Sequence, residues 1–444
     1  MKHNLETEPI PRLLWQLSIP AIMGMLSSAI FNIVDRIFVG KISSYALTAV
    51  GITMPIQILQ MAFILLIGIG SSSLISVKLG ENKKEVAEDI LYLALKYIVL
   101  FLVAFAALFL LFLDPILHLL EISEQVYPYA KTYIVIIIVG SIIGIPGYCL
   151  NNSLRSIGQT KTSMKIIVIT SIMNIILDPL LIYVFHMGIA GAAVGTVISQ
   201  TTLTVYVIFV FIKRKDFLIH LKRRHIKQEW KLVKSFLYMG MPSFYVQILA
   251  TFVNIFINSS LLAYGTDLDI AAITIMSSIF SFYNMVVFGI VQGNNVICGF
   301  NYGAKQYNRV RKSLELSLIW AFLLSSALYL VILFFPQLLV GMFAKEPDLA
   351  KITADGMKIY LCMLPLIGVQ TVSSQYYQSV GSAKRSSMLS FLRYGVIIIP
   401  SILLLAPILG TNGILFSNAL SDGIASIVAI FFIGNEIRNL KKME

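Results

Sequence analysis

Twelve long apolar segments restrict this chain to one kind of fold. Each has about 20 residues or more, enough to cross the hydrocarbon of a bilayer as a helix. By residue number they cover 13–38, 50–76, 90–113, 131–154, 163–185, 189–212, 234–262, 272–298, 314–335, 356–380, 387–409 and 411–434. A helix satisfies its own backbone polar groups in lipid, and the segments are too long and too uniformly apolar for barrel strands. The sequence therefore predicts an all-α polytopic membrane protein.

Charged residues are scarce and lie mainly at the ends of these segments. They make up 13% of the chain, against about 25% in a soluble globular protein. A net charge of +12 is compatible with nucleic-acid binding. However, the basic residues flank apolar runs and form no basic domain interleaved with aromatic side chains. We therefore expect membrane lipids and small molecules as partners, and no nucleic acid.

The placement of Lys and Arg predicts the orientation of the chain. With the amino terminus taken as cytoplasmic, few basic residues fall in outer loops: Lys41, Lys131, Lys345, Lys351 and Lys358. Arg36 and Lys96 fall inside apolar segments, and Arg393 is grouped with the inner residues after the tenth segment. Because inner loops of membrane proteins are enriched in Lys and Arg, both termini are predicted to be cytoplasmic.

The chain divides into two similar halves. At an offset of 222 residues, Pro20 matches Pro242 and Gly188 matches Gly410. Six helices per half make a parallel repeat about an axis along the membrane normal. We predict an amino-terminal six-helix lobe at 1–215, a carboxyl-terminal six-helix lobe at 234–444, and a basic cytoplasmic linker at 216–233 that lies near anionic lipid headgroups. Two such pseudo-symmetric bundles are expected to enclose a central cleft and to work by alternating access.

The fifth segment contains a polar island deep in the membrane. Asn174 and Asp178 are four residues apart, so both lie on one helical face. A carboxylate at a helix centre costs about 2.5–3.5 kcal/mol on insertion scales. Pro179 has no N–H, so the carbonyl of Ile175 loses its helical partner. These oxygens predict a place for a cation or a proton, although Asn174 alone is equally well explained as a helix–helix contact.

Two further polar residues are expected at a similar depth. Asp178 lies about 23 Å up a hydrocarbon core of roughly 30 Å, and Asp35 and Thr196 also fall in the outer half of their segments. An interfacial ion pair with Arg36 is the alternative for Asp35, and Thr196 is uninformative by itself. Two carboxylates in one pocket cannot both stay ionised cheaply, so a proton or Na⁺ is expected there.

Other chemistry finds little support in the sequence. No nucleotide-binding G-x-x-x-x-G-K-[ST] motif, H-E-x-x-H motif or histidine cluster is present, so the energy for transport must come from an ion gradient, and no enzyme activity and no cofactor are expected. In the carboxyl-terminal half, Asp422 is a deep acid without an identified partner. Lys96 is the only convincing mid-helix cation.

Several motifs in this chain resemble those of the multidrug and toxic compound extrusion (MATE) family. They are VDRIFVG at 34–40, Asn174 with Asp178 and Pro179, LRSIGQTK at 154–161 and QGNNVICGFNYGA at 292–304. The resemblance covers essentially the whole chain. It departs from the family at Val296, where a proline is common. The chain is most similar to the prokaryotic branch with an ion site in the amino-terminal lobe, because the seventh and tenth segments lack the acids of the other branch.

This resemblance implies a function and a set of site residues. It implies a secondary active antiporter of the prokaryotic plasma membrane that exports amphipathic, cationic organic compounds in exchange for H⁺ or Na⁺, acting as a monomer. A flippase for a lipid-linked precursor, from the same broader superfamily, is the alternative. Ion coupling is expected at Asp35, Asn174, Asp178 and Thr196, with Na⁺ as a candidate ligand. A helix bend is expected at Pro20, and possible ion or substrate contacts are Asn151, Gln57 and Met61.

Overall fold

The computed structural model describes residues 5–120, 122–214, 217–222, 226, 228–343 and 346–444, and over these ranges its regular structure is entirely helical. Within them, eleven helices are long and apolar enough to cross a membrane. A twelfth span arises if Pro347–Tyr360 and Leu364–Ser379, which meet at 52°, count as one bent span. The predicted all-α membrane fold is confirmed.

The first half of the chain forms the following helices: α1 (Ile10–Gly40), α2 (Ser44–Gly80), α3 (Lys84–Leu111), α4 (Leu113–Leu119), α5 (Tyr127–Gly144), α6 (Pro146–Ser156), α7 (Thr160–Pro179) and α8 (Gly188–Lys213). A π-helical turn, Leu180–Val184, follows α7. The fourth predicted segment is thus divided between α5 and α6, because Pro146 starts a new helix. The other segments extend a few residues beyond their apolar cores.

The second half forms these helices: α9 (Glu229–Tyr264), α10 (Asp267–Gly303), α11 (Tyr307–Phe334), α12 (Pro336–Val340), α13 (Pro347–Tyr360), α14 (Leu364–Ser379), α15 (Ala383–Phe391), α16 (Ile398–Leu409) and α17 (Thr411–Met443). A π-helical turn, Leu392–Ile397, joins α15 to α16. The start of α10 is capped by Thr266 and Asp269, which bond each other's backbone N–H groups. This capping box supplies partners for the free N–H groups of the first turn.

The residues pack into two compact units. The amino-terminal unit is Met23–Gly240, and the carboxyl-terminal unit is Met1–Ile22 with Met241–Glu444. The chain therefore changes unit inside α1, just after Pro20, and inside α9, just before Pro242. The predicted lobes 1–215 and 234–444 remain a prediction, and parts of the predicted linker 216–233 (residues 216, 223–225 and 227) lie outside the described residues.

One turn occurs in both halves with the same backbone. Gly158, after α6, has φ 79°, and Gly381, after α14, has φ 85°. Each is the last residue of a similar tripeptide, Ser-Ile-Gly or Ser-Val-Gly, at an offset of 223 residues. A left-handed backbone is accessible to glycine without a Cβ penalty. The repeated glycines therefore end equivalent helices in the same way, as an internal repeat requires.

Candidate functional site

The polar island on α7 is buried and internally hydrogen bonded. Asn174 Nδ2 donates to Asp178 Oδ1 over 3.1 Å, and Asp178 is fully buried. The four-residue spacing brings the two side chains together on one helical face, as predicted. After Pro179 the chain continues as the π-helical turn Leu180–Val184. Turns of this type are rare and occur frequently at functional sites. The Ile175 carbonyl as a ligand stays a prediction.

Asp35 of α1 joins this island. The carboxyl groups of Asp35 and Asp178 lie close enough for one, when protonated, to donate a hydrogen bond to the other. The neighbouring Arg36 is exposed and directs its Nη2 to Met54 Sδ at 3.6 Å. Among the described residues no ion pair joins Asp35 to Arg36. The structure therefore places Asp35 with the second carboxyl group rather than in an interfacial ion pair.

Three oxygen atoms of this site are buried without a hydrogen-bond donor. They are Asp35 Oδ1, Asp178 Oδ2 and Asn174 Oδ1. An unsatisfied buried polar atom costs roughly 1–3 kcal/mol, and more when it is charged. Hard oxygen atoms of carboxylate and amide groups suit a proton or a hard cation such as Na⁺. The donor set thus fits the coupling ion that the sequence predicts.

Helix α8 approaches Asp178 through a glycine. A Cβ placed on Gly195 would lie 2.7 Å from Asp178 Oδ1, which is closer than real Cβ contacts. The absence of a side chain at Gly195 therefore lets α8 pack against the carboxyl group. Thr196, the predicted ligand, follows directly and is partly buried. Its hydroxyl as an ion ligand stays a prediction.

Sequence reasoning missed two residues of this site. Gly195 was not distinguishable from the other small residues of α8. Tyr133 of α5 is buried and lies within electrostatic range of both Asp35 and Asp178. Tyr133 also belongs to an apolar cluster with Val39, Ile182 and Ile189. This cluster joins α1, α5, the π-helical turn and α8 beside the two acids.

The remaining predicted residues lie elsewhere in the structure. Asn151 is buried in α6, and its Oδ1 lacks a donor. No hydrogen bond within the described residues links it to Asp178. Gln57 and Met61 are one turn apart on α2, and Met61 is 42% exposed. Pro20 is buried within the continuous α1. The roles predicted for these four residues stay predictions.

The carboxyl-terminal unit contains a buried ion pair that the sequence did not reveal. Arg393 Nε donates to Asp422 Oδ1 over 2.7 Å, and both side chains are almost fully buried. Grouping Arg393 with the inner loop residues was wrong, because it lies in the π-helical turn inside the membrane span Ala383–Leu409. Asp422, which had no partner in the sequence interpretation, is paired with Arg393.

Lys96 lies inside α3, as predicted, and the structure gives it a partner. Its Nζ lies 2.6 Å from Glu229 Oε1, and Tyr97 donates to the same oxygen at 2.9 Å. Lys96 and Glu229 are each more than a third exposed at their side chains. The cation that looked isolated in the middle of a helix is therefore partnered by the first residue of α9, at the end of a span.

The chain is similar to known proteins over most of its length. A family model described as MatE matches residues 20–180 and, separately, residues 242–404. The multidrug export protein MepA of Staphylococcus haemolyticus is 24% identical over 96% of this chain and 94% of its own length.

Solved structures share the whole fold. An outward-facing multidrug resistance MATE family transporter of the MOP superfamily has 22% identity and a TM-score of 0.92, and the match covers 99% of each chain. A MOP superfamily transporter from Pyrococcus furiosus, described as having a binding pocket of reverse polarity that suggests a different function, has 23% identity and a TM-score of 0.90, with 98% of each chain covered.

Proposed function

Because the chain belongs to the MATE family, a family of membrane transporters and not of enzymes, we propose that it is a secondary active multidrug antiporter. It exports amphipathic, cationic organic compounds in exchange for H⁺ or Na⁺ by alternating access. The observation that carries this proposal is the set of three donorless oxygens on Asp35, Asp178 and Asn174. The multidrug relatives named above support the substrate class.

The coupling ion resolves a conflict within the site. Two carboxylates this close in a low-dielectric environment repel each other. A proton shared between them, or a Na⁺ held by the donorless oxygens, removes the repulsion and satisfies the buried atoms. Ion binding therefore stabilises the arrangement in which Asp35 and Asp178 are together. Loss of the ion favours their separation.

Helix α1 connects this event to the rest of the molecule. Asp35 lies on the part of α1 that belongs to the amino-terminal unit, and the part before Met23 belongs to the carboxyl-terminal unit. Pro20 is three residues before this change and offers no N–H to the helical ladder. A change in how Asp35 is held can therefore alter α1 where it passes from one unit to the other. This supports a coupling of ion binding to alternating access.

The substrate is drawn by the same charges that bind the ion. A cation competes with the coupling ion for the electrostatic field of Asp35 and Asp178, so ion entry lowers the affinity for the substrate. Gln57 and Met61, on one face of α2, offer a polar and a soft apolar contact. We assign them to substrate contact, with Thr196 and Asn151 as further candidates around the ion.

The cellular arrangement follows from the charge distribution. The chain is a multi-pass membrane protein, and the multidrug export protein MepA that it resembles comes from a bacterium. Both termini face the cytoplasm in this proposal, since Lys and Arg are concentrated on that side. In this proposal the chain acts as a monomer in the plasma membrane, since all the proposed ion ligands belong to one chain.

Transport with separately imposed gradients tests the proposal. The purified chain is reconstituted into vesicles, and movement of a fluorescent lipophilic cation is followed under a Na⁺ gradient or a proton gradient alone. One of the two gradients is expected to drive accumulation against the dye gradient. Lack of accumulation under both gradients, in vesicles that contain inserted protein, would contradict ion-coupled export.

The alternative, a flippase for a lipid-linked precursor, has weaker support. Its pyrophosphate cargo would require unpaired cations along the path. The membrane-embedded Arg393 is neutralised by Asp422, and Lys96 is paired with Glu229. Arg36 has no carboxylate partner among the described residues, but it is exposed and lies four residues from the end of α1. Accumulation of a lipid-linked intermediate on deletion, without loss of dye export, would favour this alternative.

A further inference from the structure

The polar centres of the two units differ in one respect. In the amino-terminal unit, Asp35 and Asp178 each keep a buried carboxyl oxygen without a donor. In the carboxyl-terminal unit, Asp422 Oδ1 accepts from Arg393 Nε at 2.7 Å, and Asp422 Oδ2 accepts from Asn418 Nδ2 at 3.3 Å. Among the described residues, no cationic side chain donates a hydrogen bond to the first centre, since Arg36, next to Asp35, directs its Nη2 to Met54 Sδ. The second centre already contains such a cation.

The guanidinium group of Arg393 is held on several sides. Its Nη1 donates to Gln370 Oε1 of α14 at 3.4 Å. The rings of Tyr394 and Phe280 lie 4.9 Å and 5.8 Å from its central carbon, close enough for cation–π attraction. The hydroxyl of Ser421 donates to the backbone carbonyl of Arg393 at 2.6 Å. These contacts fix the cation against α14 and α17 within the carboxyl-terminal unit.

The ion pair of Arg393 and Asp422 carries no net charge. The other titratable groups that interact with it are the hydroxyls of Tyr283, Tyr360 and Tyr394 and the thiol of Cys362. Within the described ranges, none of these neighbouring groups is a carboxylate or a cationic side chain. The charge of Asp422 is thus balanced by Arg393, and the centre has no need of an exchangeable ion.

The two centres lie on corresponding helices of the two halves, although their acids do not match, since Asp178 corresponds to Pro400 and Asp422 to Gln200. At the offset of 222 residues, Thr196 corresponds to Asn418, Ser199 to Ser421, and Ser171 to Arg393. The repeat therefore places polar groups on the same pair of helices in each half: α7 and α8 in the first, and α15–α16 and α17 in the second. In the first half, α7 carries donorless oxygens that lie with that of Asp35 on α1, whereas in the second half the turn between α15 and α16 carries a covalently attached cation.

We propose that Arg393 is a resident cation that closes a latent ion site in the carboxyl-terminal unit. The site consists of Asp422, Gln370 and Asn418, and its oxygens would take a monovalent cation or a proton if the guanidinium were removed. With Arg393 in place, the coupling ion has access only to the amino-terminal unit. Arg393 thereby limits ion coupling to one site per chain. This inference deepens the proposed function and rests on it for the identity of the exchanged ion.

Ion binding to the full chain in detergent tests the proposal without relying on transport. The background is the double variant Asp35→Asn/Asp178→Asn, which removes both carboxylates of the amino-terminal centre. Bound ²²Na⁺ is counted at alkaline pH, and infrared spectroscopy reports protonated carboxyl groups. The background is compared with two chains that add Arg393→Met, one of them also carrying Asp422→Asn.

The expected results distinguish the two centres. The background should bind no Na⁺ and show no protonated carboxyl signal from Asp422. Adding Arg393→Met should create either one Na⁺ site per chain or a protonated carboxyl signal, and Asp422→Asn should remove it. Arg393→Lys, which keeps a cation, should restore the background behaviour.

Two results would overturn the proposal. One is Na⁺ binding or a protonated carboxyl in the background that disappears with Asp422→Asn, because the site would then be open despite Arg393. This comparison remains decisive even if Arg393→Met does not fold. The other is a folded Arg393→Met chain with neither signal. Failure of the wild-type chain to bind an ion at Asp178 would instead contradict the proposed function. The comparisons above could still be interpreted, because all of those chains lack the carboxylates of Asp35 and Asp178.

Discussion

Asp178 meets Asp35 of α1 on one side and accepts a hydrogen bond from Asn174 on the other, yet its Oδ2 has no donor. Two unit charges 4 Å apart repel by about 4 kcal/mol at an effective dielectric constant of 20. Moving one elementary charge through 100 mV supplies about 2.3 kcal/mol, so a repulsion of that size is of the same order as the energy in an ion gradient. The meeting of these two carboxyl groups is therefore the natural place for the coupling ion.

The amide of Asn174 should tune this site. Asn174→Leu removes the Nδ2 donor to Asp178 Oδ1 while keeping a similar volume. The lost donor favours the ionised carboxylate, so its removal should lower the proton concentration for half-maximal transport about 10-fold to 100-fold if the ion is H⁺. If the ion is Na⁺, loss of the donorless Asn174 Oδ1 as a ligand should instead raise the Na⁺ concentration for half-maximal transport. Ile176→Ala, on the exposed face of the same helix, is the control. Equal effects of the two variants would remove Asn174 from the site.

Gly195 should be intolerant of even a methyl group. In Gly195→Ala the new Cβ would lie 2.7 Å from Asp178 Oδ1, so the carboxyl group or α8 must shift. We expect dye export to fall at least about 10-fold, since displacements near 1 Å at a reactive group carry costs of this order. The control is Gly51→Ala, whose Cβ meets nothing within 4 Å. Normal export by Gly195→Ala would show that α8 does not constrain Asp178.

Much of this molecule is predictable from the chain alone. The membrane spans follow from uninterrupted apolar runs, because a bilayer permits only helices or closed barrels. The contact of Asn174 with Asp178 follows from helical periodicity. Both features depend on residues that are close in the sequence, so they can be predicted without knowing how the helices pack.

The contacts between helices were less predictable. Tyr133 and Gly195 join the site only because α5 and α8 turn those particular faces towards α7, and nothing in their local sequence marks them. Arg393 lies near the inner end of its apolar segment and so resembled a flanking cation. The π-helical turn Leu392–Ile397 brings it inward to Asp422, 29 residues away.

Replacing one member of the Arg393–Asp422 pair should destabilise the protein more than replacing both members. Loss of one partner from a buried pair costs about 3–5 kcal/mol, whereas apolar replacement of both is often nearly neutral. We expect thermal unfolding in detergent to occur at clearly lower temperature for Arg393→Met and close to wild type for Arg393→Met/Asp422→Leu. An equal loss in both chains would mean that the pair itself stabilises the unit.

Lys96 separates the antiporter from the flippase alternative. Its ion pair with Glu229 is partly exposed, and such pairs contribute about 0–1 kcal/mol. Lys96→Met should therefore change dye export less than about twofold, as should Glu229→Gln. A large loss specific to Lys96→Met would assign this cation to an anionic cargo instead.

The most direct test of ion coupling is export by Asp178→Asn in vesicles with an imposed Na⁺ or proton gradient. The amide keeps the size of the side chain but can neither hold the coupling proton nor offer a charge to Na⁺. Asp267→Asn, at the exposed start of α10, is the matched control and should export normally. We expect Asp178→Asn to insert in the membrane but to lose gradient-driven export. Dye accumulation by this variant at the wild-type rate would contradict the account.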